Sequence, residues 1–179
     1  MHMATATKRW TLEELHSLPD DGNKYELVRG ELFVTPPPTT DHETILARLS
    51  RILEPYVARE KLGLIYHPRA VLRFEGSEVE PDLMVRQPPA TRRTPWDQAP
   101  LPILIVEVLS DSTRRRDRMQ KKSFYVDTGV EEYWIVDGES MTITSVRGGR
   151  ADVVAREKLT WSPDKASSPL TIDLAVVFG

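Results

Sequence analysis

Two carboxylates stand where strands should be apolar. The run LPILIVEVLSDST (101–113) carries Glu107 inside an apolar stretch, and EVEPDLMVR (78–86) sets Asp82 directly after Pro81. An acid in an apolar strand is costly unless it is paired, protonated or bound to a cation. If these two strands pair, the acids converge at one sheet edge, repel each other and need a counter-charge. A hard divalent cation with oxygen ligands and retained waters meets that need. Mg2+ fits it, with Mn2+ as the alternative. The competing reading leaves each acid at a strand end in solvent.

A lysine bears on that choice. Metal-assisted phosphodiester hydrolysis uses carboxylates to hold the ion and often a nearby cation to orient water or offset developing charge. Two residues after Glu107, where such a lysine would be sought, stands Leu109. The next element offers a substitute. In DRMQKKSFY, Asp117, Lys121 and Tyr125 fall at i, i+4 and i+8 on one helix face. Lys122 is turned roughly 100° off that row. Lys121 can therefore swing back to the two acids, flanked by Asp117 and Tyr125. A plain surface ion pair is the other reading, worth about 0.3–0.5 kcal/mol. Arg114, Arg115, Arg116 and Arg118, with Lys121 and Lys122, put six cations in nine residues. They form either a solvated helix face or a set of phosphate contacts with salt-sensitive affinity.

The elements that must position these groups follow from patterning. TLEELHSL has Thr11 and Glu14 in capping-box spacing, which predicts a short helix. KYELVRGELFVT predicts two short strands meeting at Arg29–Gly30. After the rigid loop PPPTT, the spacing of Ile45, Leu46, Leu49, Ile52, Leu53, Tyr56 and Val57 predicts a helix, which Pro55 is expected to kink or shorten. LIYHPRAVLRF, VEPDLMVR and LPILIVEVL predict three strands, the last apolar on both faces and hence central. The Pro-rich segment QPPATRRTPWDQAP predicts a mobile loop whose Arg92 and Arg93 either touch phosphate or simply keep it soluble. TRRRDRMQKKSFYVDT predicts a helix stopped by Gly129. EYWIVD, MTITSVR, DVVA and TIDLAVVF supply further strands. This order of elements indicates a mixed α/β or α+β sandwich around one sheet.

The bulk numbers set bounds. A chain of 179 residues suits one domain with a real core. The first ten residues, opening MHM, are expected to be disordered or tag-derived. With no cysteine, a metal must be held by oxygen or imidazole, and a reducing cytoplasm is the expected location. No segment approaches the roughly 18 apolar residues of a membrane span. A formal charge of −3 gives no global attraction to nucleic acid, so any such contact falls to the basic cluster.

KYELVRGEL, DHETILARL, EPDLMV, LIVEVLSDST, DRMQKKSFYVDTGVEEYWIVD and PLTIDLAVVF resemble, in order, motifs of the Uma-two family of restriction endonucleases. That family lies within the PD-(D/E)XK nuclease superfamily. The resemblance runs from Tyr25 to Phe178. It implies a restriction-endonuclease-like fold, a mixed central β-sheet flanked by helices, and Mg2+-dependent cleavage of DNA. Asp82 and Glu107 match the metal-binding acids, Lys121 a displaced lysine, and Tyr125 the aromatic after it. Glu31 and His42 match polar positions of the N-terminal hairpin and first long helix, as supporting residues. Leu109 departs from the wider superfamily, where a strand lysine stands.

Among the other polar residues, Glu80 shares the strand face of Asp82, whereas Glu26 is expected to be less suited to the site beside Leu27 and Val28. His67 is expected at a strand surface and Trp134 in the core. Cutting two strands needs two sites, which makes a homodimer the expected assembly. The alternative to a nuclease is a degenerate nucleic-acid or partner-binding module on the same fold. A metal-dependent hydrolase of small phosphate compounds is a third reading.

Overall fold

The computed structural model describes residues 8–91, 93–110 and 117–179, with the backbone alone for Asp117 and Arg118. Helix α1 (Leu12–His16) starts on the expected capping box: Glu14 N–H donates to Thr11 Oγ1 at 3.2 Å, and Thr11 N–H to Glu14 Oε2 at 2.9 Å. Strands β1 (Lys24–Val28) and β2 (Glu31–Thr35) pair antiparallel. Their two-residue turn puts Arg29 at φ 52° and Gly30 at φ 83°, the paired positive angles that match strand twist. Helix α2 (Thr40–Arg59) continues through Pro55, which does not shorten it. The proline removes one N–H bond near the helix end, while Tyr56 and Val57 beyond it are buried and hold the last turn on the sheet.

Two of the expected strands each divide. LIYHPRAVLRF becomes β3 (Leu64–Tyr66) and β4 (Leu72–Phe74), which belong to different sheets. VEPDLMVR becomes β5 (Ser77–Val79) and β6 (Leu83–Arg86). Pro81 cannot donate to a ladder, and the chain passes there from one sheet to the other. Asp82 therefore sits at a corner rather than within a strand. Strands β2-β1-β5-β4 form the smaller sheet.

The larger sheet is centred on β7 (Leu104–Val108). It pairs antiparallel with β6, Leu83 opposite Val106, and parallel with β8 (Glu132–Asp137), Glu107 opposite Ile135. A parallel pair needs a crossover. Here it includes a π-turn at Asp117–Lys121 and helix α3 (Lys122–Thr128), stopped by Gly129 at φ 88°. With β9 (Thr142–Val146), β10 (Val153–Ala155) and β3, the sheet order is β10-β9-β8-β7-β6-β3. A separate pair, β11 (Lys158–Trp161) with β12 (Leu170–Asp173), leads into α4 (Leu174–Phe178). TIDLAVVF is thus strand and then helix, because the Asp173 side chain caps the Ala175 N–H at 3.0 Å.

Side chains alternate across the large sheet and divide the core. Leu83, Val85, Leu104, Val106, Val108, Trp134 and Val136 pack toward α2 and α4. Met84, Ile105, Tyr133 and Ile135 pack with Phe124 and Tyr125 of α3 and with Val28, Phe33 and Val79 of the smaller sheet. Glu107, two residues after Ile105, falls on this second face. Arg86 closes β6 fully buried; among the described residues its Nε and Nη2 have no hydrogen-bond partner, and its guanidinium lies 5.6 Å from the centre of the Trp96 ring.

Candidate active site

Four elements converge at the edge shared by the two sheets. Strand β7 brings Glu107, the Pro81 corner brings Asp82, β1 brings Lys24 and Glu26 on one strand face, and the helical crossover brings Lys121 and Tyr125. The Lys121 ammonium lies 2.7 Å from Glu107 Oε1 and 3.0 Å from Glu26 Oε1. One helical turn on, the Tyr125 hydroxyl donates to the same Glu107 oxygen at 2.7 Å. Asp82 is held from three sides. Val108 N–H donates to Oδ2 at 2.9 Å, His42 Nε2 lies 3.0 Å from Oδ2, and the Lys24 ammonium lies 3.0 Å from Oδ1. Lys24 also donates to the Glu80 carbonyl at 3.1 Å and stands 4.0 Å from Glu107 Oε2. Glu80 N–H donates to Glu26 Oε1 at 3.0 Å, tying the corner back to β1. The group opens into a cleft of about 970 Å3, walled by the Pro36–Pro38 loop and the start of α2.

Burial would raise every acid here, and the neighbours decide which ones resist. For Asp82, burial is overcome by Lys24 and by the hydrogen bond and charge of His42, so its carboxyl stays far below the usual range. Lys121 and Lys24 likewise outweigh burial at Glu26, which is lowered. Glu107 goes the other way. Burial, reinforced by the Asp82 and Glu26 charges, pushes it up to about 7, although Lys121 and Lys24 act against the shift. Lys24, despite burial, is held well above its ordinary value by Glu26, Asp82 and Glu107. His42 is raised by Asp82 against burial, and the Tyr125 hydroxyl is pushed up by burial and Glu107. The result is two neighbouring carboxylates of different basicity beside a fixed cation.

The structure thus brings Asp82, Glu107, Lys121, Tyr125 and His42 together. Glu31 is not with them: it is exposed at the start of β2 and accepts from Gln120 at 2.8 Å. Arg92, Arg114, Arg115 and Arg116 lie outside the described residues, as do the side chains of Asp117 and Arg118. Lys122 points away, as its rotation required, to Asp152 at 2.5 Å. Glu80 borders the site through its backbone as well as its half-buried side chain, and His67 is exposed on the cleft wall. Trp134 is in the core.

Glu26 corrects the expectation that placed it outside. It is fully buried and bridges Lys121 to the corner, because the crossover segment carrying Lys121 and the Glu80 backbone close over the face of β1 that bears it. Lys24 was not singled out. Its signal is the Lys-x-Glu pair at strand period, which puts both charges on one face.

A mixed sheet with flanking helices, carrying one acid on β7, another at the corner leading into β6 and a lysine from the crossover, is the restriction-endonuclease-like fold. A crystal structure described as a putative nuclease belonging to DUF820, from Anabaena variabilis, superposes with a TM-score of 0.75 over 94% of this chain and 97% of that one. At 18% identity that likeness establishes the fold. Residues 12–176 match the Uma2 family, described as "Putative restriction endonuclease", and the chain belongs to it. A comparison with curated proteins finds no match. Among the described residues, no helix is long and apolar enough to cross a membrane.

Proposed function

We propose that this chain is a Mg2+-dependent endonuclease that hydrolyses phosphodiester bonds in DNA. The observation that carries the reading is the Lys121 ammonium on Glu107, delivered from the crossover helix to the acid beside Asp82. Family membership and the nuclease fold of its structural neighbour support it.

The donors fit a hard cation. Asp82 Oδ1, the Glu80 carbonyl and Glu107 Oε2 surround one point, the point now held by the Lys24 ammonium. Among the described residues no three His, Asp or Glu side chains form a metal cage. Two carboxylates and a carbonyl, with water completing the set, is the sparse oxygen coordination that Mg2+ accepts. Asp82 and Glu107 would hold the ion, with Mn2+ the substitute. When bound it lowers the pKa of water and offsets charge on phosphoryl oxygens.

The chain's own groups do the rest. Val108 N–H and His42 fix both the rotation and the ionisation of Asp82. Glu26 and Glu107 fix Lys121, whose ammonium is placed to orient a water or to meet charge developing on phosphate, and Tyr125 fixes Glu107. Glu107 is oriented by Lys121 and Tyr125, both on Oε1, which leaves Oε2 facing the Asp82 side of the site. The basic residues Arg114, Arg115, Arg116 and Arg118 supply phosphate contacts along the incoming strand. A homodimer would supply the second site for a double-strand cut.

A non-catalytic binding module is the second reading, and one observation favours it: Lys24 and Lys121 already neutralise much of the acidic charge. Plasmid cleavage in Mg2+ decides. Asp82→Ala and Glu107→Ala are each expected to lower the rate about 100-fold or more. Wild-type rates in either variant, or no cleavage by the wild type, would remove the nuclease.

A further inference from the structure

Lys24 and Lys121 bring the same charge to the same acids and are held differently. The Lys121 side chain is 1% exposed and locked between Glu26 and Glu107. That of Lys24 is 19% exposed and lines the cleft. Among the described residues its ammonium contacts oxygens of the site: Asp82 Oδ1 at 3.0 Å and the Glu80 carbonyl at 3.1 Å, with Glu107 Oε2 at 4.0 Å. A carboxylate oxygen from each site acid plus a main-chain carbonyl is the set a hard divalent ion seeks. A cation of the chain's own stands there.

Two cations cannot share that point. An ammonium and a divalent ion both touching Asp82 Oδ1 would stand a few ångströms apart, where partial burial leaves their repulsion poorly screened. We propose that Lys24 is a displaceable internal counter-ion. It fills the divalent-cation position between Asp82 and Glu107 and must withdraw into the cleft before a metal can enter. This rests on the metal reading above. A flexible four-carbon stem and an open cleft give Lys24 a way out, whereas Lys121, at the wall of the same cleft, is buried and held between two carboxylates. His42 takes no part in the exchange, since it holds the other Asp82 oxygen.

The consequence is a threshold. Without metal, Lys24 keeps Asp82 and Glu107 from repelling each other and stabilises the empty fold. With metal, the work of removing it is subtracted from binding, so the site fills only when the free ion is abundant.

Calorimetric titration of Mg2+ into the full chain, Lys24→Met, Lys24→Gln and Asp82→Asn tests this. Both Lys24 variants are expected to bind about tenfold tighter than wild type or better, from relief of a like charge at contact distance. Their melting temperatures in EDTA should fall below wild type and rise further than wild type on adding Mg2+. Binding by the Lys24 variants alone supports the inference in its strongest form. Equal or weaker affinity in both variants, with normal binding by wild type, overturns the Lys24 role and leaves the metal reading intact. No binding by any protein overturns both. If Lys24→Met does not fold, Lys24→Gln, which keeps a donor for Asp82, carries the comparison.

Discussion

The two faces of the large sheet are made by the same strands and bury different things. Toward α2, Leu83, Val106 and Val136 pack with Leu49 and Leu53, and the buried carboxylate of Glu132 on that face is answered by the Trp134 indole and Arg147, away from the site. Toward α3, the sheet adds Glu107 to Ile105 and Met84, and the helix answers with Lys121 and Tyr125. An apolar face fails by degrees, since neighbours relax around a lost methyl group. An ionic face fails by whole charges, since the partner left behind has neither water nor a counter-ion. Stability is thus tied to chemistry on one side of a single β-sheet and independent of it on the other.

The strongest challenge to that contrast is Lys121→Met. It strands Glu26 and Glu107 and should cost about 3–5 kcal/mol by urea unfolding, as breaking other buried pairs does. Leu49→Ala, fully buried on the apolar face, should cost roughly 3 kcal/mol by the same measurement and leave Mg2+ binding unchanged. A larger loss from Leu49→Ala than from Lys121→Met would reverse the ranking. Tyr125→Phe removes one donor from Glu107 and should cost about 1–2 kcal/mol. Stability equal to wild type would show that the hydroxyl is idle.

The pH dependence sharpens the comparison at smaller scale. Glu107 is raised to about 7, so the folded state holds a proton that the unfolded state has released. Its contribution is complete below the ordinary carboxylate range and is lost as pH rises through 7, a decline of about 1 kcal/mol from pH 6 to 7.5. His42, also raised, adds a decline of the same sign above the usual imidazole range. Asp82 and Glu26, both lowered, act in the opposite sense and lose their contribution only in strong acid. The Glu107→Gln protein should therefore show a shallower decline in unfolding midpoint over this window. Parallel curves would assign the slope elsewhere.

What could be read in advance depended on distance along the chain. Glu107 stood out as one acid in an apolar run, and Lys121 and Tyr125 as a helix row following it. Local periodicity sufficed for the capping box, the Arg29–Gly30 turn and the Gly129 stop. Strand lengths were harder, because the breaks near Arg69 and Pro81 reflect which sheet each half joins. Glu26 and Lys24 were not readable as partners. Their meeting with Lys121 and Asp82 spans 95 and 58 residues, and it requires β1 to be covered on a face that Leu27 and Val28 do not announce. Glu31, the first residue past the turn, was expected to suit the site better than Glu26 and is instead exposed.

Arg86 has a consequence for anyone wishing to toughen this scaffold. It lies four positions beyond Asp82 on the same run of chain, shut in beside an indole with two nitrogens unanswered. An enclosed guanidinium that no carboxylate among the described residues relieves is a standing liability. Arg86→Met, with an unbranched side chain that fits an irregular space, should raise the melting temperature and leave the Asp82 corner untouched. That end of the strand is a reserve of robustness the protein has left unspent.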